Sequence, residues 1–252
     1  MRSILAILFL LIQIPSFSMD KIEAERLFFE ANAAFEAELY SDAYATYDSI
    51  ATDYRSFELC FNAGNAAFKA GMLGESILYY ERARKINPTA DDLLVNLAIA
   101  NEKVADRIPE LKGLGVENIW SAITATDRLG MWTWIALLGN VIGFGLLMIW
   151  LFSRSGGLKR ALFWIGAVMI FLAMASYVIS RVSYSRIQAN TEAVIMSPKV
   201  DVKNGPNENG SNAFVLHEGT KVKIQTVEGA WTEIRIANGQ VGWVKNNAIE
   251  GI

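Results

Sequence analysis

Residues 28–54, FFEANAAFEAELYSDAYATYDSIATDY, return as residues 60–88, CFNAGNAAFKAGMLGESILYYERARKINP, at an offset of 33 that carries Phe28 onto Phe61. At that offset Ala31 aligns with Gly64, Ala34 with Ala67, Phe35 with Phe68, Ala43 with Ser76 and Tyr47 with Tyr80. Small residues at these spacings let antiparallel helices approach closely, and the aromatic side chains fill the gap between them. Gly71 suits the turn between the helices of the second unit, and Pro88 ends its second helix. Leu94, Leu97, Ala98 and Asn101 look like the first helix of a third unit. The pattern predicts an all-α helical repeat over residues 19–107, with units at 24–56 and 57–90 and a capping helix at 91–105.

This spacing resembles the tetratricopeptide repeat, whose period is about 34 residues. The resemblance implies a concave groove, lined by the first helix of each unit, that binds a peptide or a partner helix. Carried over by position, the groove residues are Glu25, Phe28, Asn32, Phe35, Glu36, Glu58, Phe61, Asn62, Asn65, Phe68, Lys69, Asp92 and Val95. Asn32 and Asn62 match the two Asn of the version that clamps a C-terminal carboxylate. Phe28, Asp92 and Asn96 stand where that clamp has Lys and Arg, so a carboxylate would meet acids instead and is rejected as ligand. Residues 19–112 carry 10 basic and 17 acidic side chains. Either an acidic groove floored with Phe takes a basic or neutral segment, or the acids are a solvated face. Cys60 falls at a packing position and is expected as a buried structural thiol.

The chain as a whole is unusually apolar. It is 52% hydrophobic and 19% charged, against about 25% charged in typical soluble domains. The excess sits in three runs. Residues 1–18 read as a signal peptide: Arg2 gives the positive start, Ile4 to Ile14 the apolar stretch, and Ser16 and Ser18 the small residues before cleavage. Met131–Phe152 and Ala161–Ser180 contain no charge, and each is long enough to cross hydrocarbon about 30 Å thick. Residues 153–160, SRSGGLKR, carry three cations and no acid, which places this loop in the cytoplasm and the flanking segments outside. Between the repeats and the first span, residues 108–130 form a juxtamembrane linker. Val116, Ile119, Trp120 and Ile123 there share one helical face suited to lying along the membrane. Gly139, Asn140 and Gly143 are candidate helix contacts, because small residues permit close approach and a mid-membrane Asn gains by pairing across it.

From about residue 190 to 252 the periodicity changes to short alternating strands, such as Lys221–Gln225 and Trp231–Ile236, bounded by Glu-Gly and Asn-Gly turn pairs. About five strands in a closed or nearly closed barrel are expected. Trp231, Gly239, Gly242, Trp243 and Val244, with the upstream HEGTKVKI, resemble bacterial SH3-like domains, an all-β barrel. That family binds peptides or cell-wall components through aromatic surfaces, which makes Trp231 and Trp243 candidate surface residues. Packing inside the barrel is the favoured role for both. His217 is the single His and has no evident partner for a catalytic dyad.

The order of signal, repeats, membrane hairpin and SH3-like domain resembles the BatE-like proteins of the Bacteroidetes aerotolerance (Bat) operon. That resemblance implies a non-enzymatic inner-membrane protein with a part in stress or oxygen tolerance. It also implies neighbours of the von Willebrand A-domain and MoxR-type ATPase classes. The residues themselves exclude several functions. The net charge of −3 argues against nucleic acid, and one Cys and one His exclude a Cys/His metal cluster. Neither span has an Asp, Glu, Lys, Arg or His for an ion or proton pathway. No GxSxG, HExxH or phosphate loop occurs, so no catalytic residue, cofactor or metal is expected. The expected function is a periplasmic scaffold held at the membrane. The alternative is a tether or sensor that reads peptidoglycan peptides.

Overall fold

The computed structural model describes residues 19–109, 120, 123, 124, 128–188 and 191–252. The signal peptide and most of the linker face expected between residues 108 and 130 lie outside the described residues. Five helices come first: α1 (Lys21–Glu36), α2 (Tyr40–Ala51), α3 (Phe57–Ala70), α4 (Leu73–Ile86) and α5 (Asp91–Glu102), each packed against the next. Local chemistry sets their ends. Ser56 caps α3 by accepting a hydrogen bond from the Leu59 N–H at 3.1 Å. Gly71 ends it in the left-handed region at φ +81°, and Met72 N–H donates back to Ala67 O at 2.9 Å. Glu38 holds the same place in the first unit at φ +62°. Gly64 is required by close approach, since a Cβ there would lie 2.5 Å from the buried Tyr80 ring.

Two long apolar helices follow, α6 (Leu129–Phe152) and α7 (Gly156–Gln188). Both are long and apolar enough to cross a membrane. They pack antiparallel. A Cβ on Gly143 would meet Ile170 Cγ1 at 2.6 Å and Gly166 O at 3.1 Å, and one on Gly139 would meet Ala173 Cβ at 3.0 Å. The two glycines therefore serve the contact within the hairpin. Asn140 does not pair across it: its Nδ2 donates to Ala136 O on its own helix at 2.8 Å. The connecting loop is also shorter than the expected 153–160. Gly156 to Arg160 join α7, whose first turn is tied by Lys159 N–H to Ser155 O at 2.9 Å. At about 1.5 Å per residue, α7 is longer than a crossing of hydrocarbon about 30 Å thick requires, and its polar ends continue the helix beyond the apolar run.

The C-terminal part is one antiparallel sheet of seven strands. These are β1 (Glu192–Ile195), β2 (Lys199–Lys203), β3 (Asn212–His217), β4 (Lys221–Glu228), β5 (Trp231–Arg235), β6 (Val241–Lys245) and β7 (Ile249–Gly251). Their order is β3-β2-β6-β5-β4-β1-β7, and among the described residues β3 and β7 do not pair with each other. Strands as short as β1 and β7 show too little alternation to be counted from sequence, hence the expectation of five. Gly242 lets β2 approach β6, because a Cβ there would lie 2.5 Å from Val202 Cγ1. Ala193, Ile195, Val202, Leu216, Val222, Ile234, Ile236 and Val244 form the core of the sheet.

Candidate functional site

One arrangement of side chains occurs twice along the first helices of the two repeat units. Asn32 Oδ1 accepts hydrogen bonds from the buried Tyr47 hydroxyl at 2.5 Å and from Asn62 Nδ2 at 3.3 Å. Asn65 Oδ1 accepts from the buried Tyr80 hydroxyl at 2.8 Å and from Asn96 Nδ2 at 2.9 Å. Burial pushes both phenols up to about 12, so they remain hydrogen-bond donors at physiological pH. With each Oδ1 already occupied, the Nδ2 groups of Asn32 and Asn65 donate to nothing among the described residues. They are positioned donors on the groove wall.

Two adjoining hollows share Phe35 and Asn65. The first also holds Asn32, Glu36, Tyr47 and Asn62, and the second Phe68, Lys69, Tyr80, Asn96 and Ile99. The hollows thus gather Asn32, Phe35, Glu36, Asn62, Asn65, Phe68 and Lys69 from the expected set. Phe28 and Phe61 turn aside onto other rings: Phe28 lies edge-on to Tyr47 at 5.7 Å, and Phe61 stacks on Phe57 at 5.7 Å. Glu25, Glu58, Asp92 and Val95 are exposed and line neither hollow. Tyr47, Tyr80 and Asn96 were not among the expected site residues, although the recurrence of an Asn–Tyr pair at an offset of 33 is a readable signal. Cys60 is fully buried, and burial pushes its thiol up, away from the reactive thiolate.

On the opposite side of the helices, the sheet docks directly onto α4 and the residues after α5. Asp106 Oδ2 accepts from the His217 N–H at 2.6 Å and the Thr220 hydroxyl at 2.7 Å, while Oδ1 lies 2.8 Å from His217 Nδ1. Burial pushes the Asp106 carboxyl up, but the hydrogen bonds from Thr220 and His217 outweigh it and hold the group below the usual carboxylate range. His217 therefore has a carboxylate partner, contrary to expectation. Asp106 is shared with the backbone and with Thr220, as in a cap on the β3–β4 turn. That turn seats Gly219, at φ +83°, where a Cβ would lie 2.8 Å from Ile77 Cδ1 and 3.1 Å from Val104 Cγ2.

Charged contacts surround this apolar seat. The buried Glu81 carboxylate accepts from Arg84 at 2.5 Å and Lys221 at 3.0 Å, and Lys221 also pairs with Glu192 at 2.8 Å. Burial pushes Glu192 up, but the charge and hydrogen bond of Lys221 prevail and lower it. Arg82 holds Glu250 and Gly251 O, both at 2.9 Å, and Lys85 holds Ile252 O at 2.7 Å. Val194 and Ile252 belong to the helical core rather than to the sheet's own.

Trp231 and Trp243 occupy the other face of the sheet. Along β5 the buried residues are Thr232 and Ile234, and along β6 Gly242 and Val244, so both Trp project outward, half-buried. The favoured role inside the barrel is corrected: the pleat places β-branched and small residues inward at these positions. Lys245 lies over the Trp231 ring at 5.9 Å, and Trp243 pairs across the strands with Glu233 and Lys203. No protein-family model matches the chain, and no curated protein matches it.

Proposed function

We propose that the chain is a non-catalytic scaffold of the bacterial inner membrane. In this reading α1–α5 are tetratricopeptide repeats, α6–α7 a membrane-spanning hairpin, and the sheet an SH3-like domain. The observation that carries the proposal is the doubled Asn–Tyr arrangement. It leaves the Asn32 and Asn65 N–H donors facing an aromatic groove, where they suit the backbone carbonyls of an extended partner segment. Glu36 and Lys69 stand at the two hollows and would orient a segment of mixed charge.

Docking of the sheet on α4 supports a two-crossing topology, since segments in contact share a compartment. With the basic loop at residues 153–155 and the start of α7 in the cytoplasm, both modules are periplasmic. The module order fits the BatE-like proteins, so a stress or aerotolerance complex with von Willebrand A-domain and MoxR-type partners is the proposed setting. Labelling single cysteines in spheroplasts with an impermeant thiol reagent tests the topology, with Ser211→Cys expected to react and Gly157→Cys not. A photocrosslinker at Phe35 should capture an envelope protein that one at the exposed Phe29, outside the groove, does not. Equal capture at both positions would end the scaffold reading.

The outward Trp231 and Trp243 favour a second reading, a peptidoglycan-binding tether. Co-sedimentation of the chain with purified wall, lost in Trp231→Ala and Trp243→Ala, would support it. Absence of binding removes it.

A further inference from the structure

Asn140 is the one amide side chain in Met131–Phe152 or Ala161–Ser180, and it lies midway along its run. Its Nδ2 spends one hydrogen on Ala136 O, and among the described residues nothing donates to its Oδ1. The side chain is half-buried beside Gly139, at the margin of the α6–α7 contact. Alongside it, Leu137, Phe144 and Leu151 are exposed at 52%, 58% and 57%. Leu137, Asn140, Phe144 and Leu151 share one face at steps of three, four and seven, the spacing of a left-handed helix–helix seam, while Thr133 and Leu147 at the same spacing are engaged with α7 through Ser180 and Gly166. Gly139 and Gly143 are consumed within the hairpin and are not free to make this contact.

We infer that two copies of this chain pair through this seam, with the Asn140 amides exchanging hydrogen bonds at its centre. The inference rests on the membrane reading above. Lipid tails cover Leu137 and Phe144 without help but offer nothing to the Asn140 Oδ1, and an unmet carbonyl in hydrocarbon is costly. An amide is self-complementary: Oδ1 accepts what a second Nδ2 donates. Two copies inserted alike place Asn140 at the same depth automatically, whereas an unrelated helix would need a polar group at that level.

The test uses the full chain in native membrane vesicles. Under mild oxidation, Leu137→Cys and Phe144→Cys should form disulfide-linked dimers, while Leu138→Cys and Ile142→Cys, exposed on the far side of α6, should not. Energy transfer between labelled copies should show that Asn140→Leu weakens self-association by about three- to thirty-fold, the range for one interhelical polar contact. Asn140→Gln should restore much of it. Equal cross-linking on both faces, adducts to a different protein, or unchanged association in Asn140→Leu would each overturn the pairing and leave the membrane reading intact. Extraction of the chain by alkaline carbonate would overturn the membrane reading itself, and the pairing with it.

Discussion

The two repeat units carry the same Asn–Tyr pair on the groove side and differ on their backs. In α2 only Ala43, Tyr47 and Ile50 are buried. In α4 the buried residues are Gly74, Ser76, Ile77, Leu78, Tyr79, Tyr80, Glu81 and Ala83, because the sheet covers what α2 leaves to solvent. The crossings differ too: Ala31 fills the first, whereas Gly64 in the second makes room for the Tyr80 ring. The turn that Gly71 makes without strain is made by Glu38 in the first unit. The groove motif is thus independent of the back of the helix, and the second unit has become the platform on which the C-terminal part is built.

Substitutions can separate the two units, and the largest effect is expected at the seat of the sheet. Gly219→Val combines a β-branched side chain at φ +83° with a clash against Ile77 and Val104. Thermal unfolding should show a loss of about 2–4 kcal/mol, confined to the second unit and the sheet. Asp106→Ala strands the His217 N–H and the Thr220 hydroxyl, at a cost of about 1–3 kcal/mol by urea titration.

The same seam gives a pH dependence. Asp106 and Glu192 are held below their ordinary values, so the folded state binds protons more weakly than the unfolded chain. Their contribution is complete above the unfolded values near about pH 4 and is lost as the pH falls through the folded ones. Hydrogen exchange should therefore show the α4–sheet contact loosening in acid before the α1–α2 pair does, and Asp106→Asn should blunt the change. Smaller still is Gly64→Ala. Overpacking against Tyr80 outweighs the helix-propensity gain, for a net loss of about 1 kcal/mol, whereas most helical Gly→Ala changes stabilise. Last is Glu38→Gly, which relieves the left-handed strain and should raise stability by about 0.5–1 kcal/mol in a melt.

What could be read beforehand follows from chain distance. The helical units are local, and their period brings Phe28 onto Phe61 and Tyr47 onto Tyr80 within a short stretch. The two apolar helices announce themselves by composition alone. By contrast, Asp106 and His217 meet across 111 residues, and no periodicity links them. Asn32, Asn62 and Asn65 are legible as groove residues in the sequence, but Asn96 shows there only as a missing cation, because its role depends on how α5 lies against α3. The outward side of the Trp residues in β5 and β6 is not legible in the sequence for another reason. A half-buried ring on an outer face and a core ring have the same hydrophobicity, and the pleat alone decides between them.

Covering α4 with the sheet also has a consequence for biosynthesis. Lys85 leaves the ribosome 167 residues before Ile252, its partner across the seam. At about 5–20 residues per second that is a wait of roughly 10–30 s. During that interval the back of the second unit is an open apolar surface, while the first unit can already fold. Nascent chains should therefore be most vulnerable to proteases and most dependent on chaperones between the emergence of α4 and the emergence of β7.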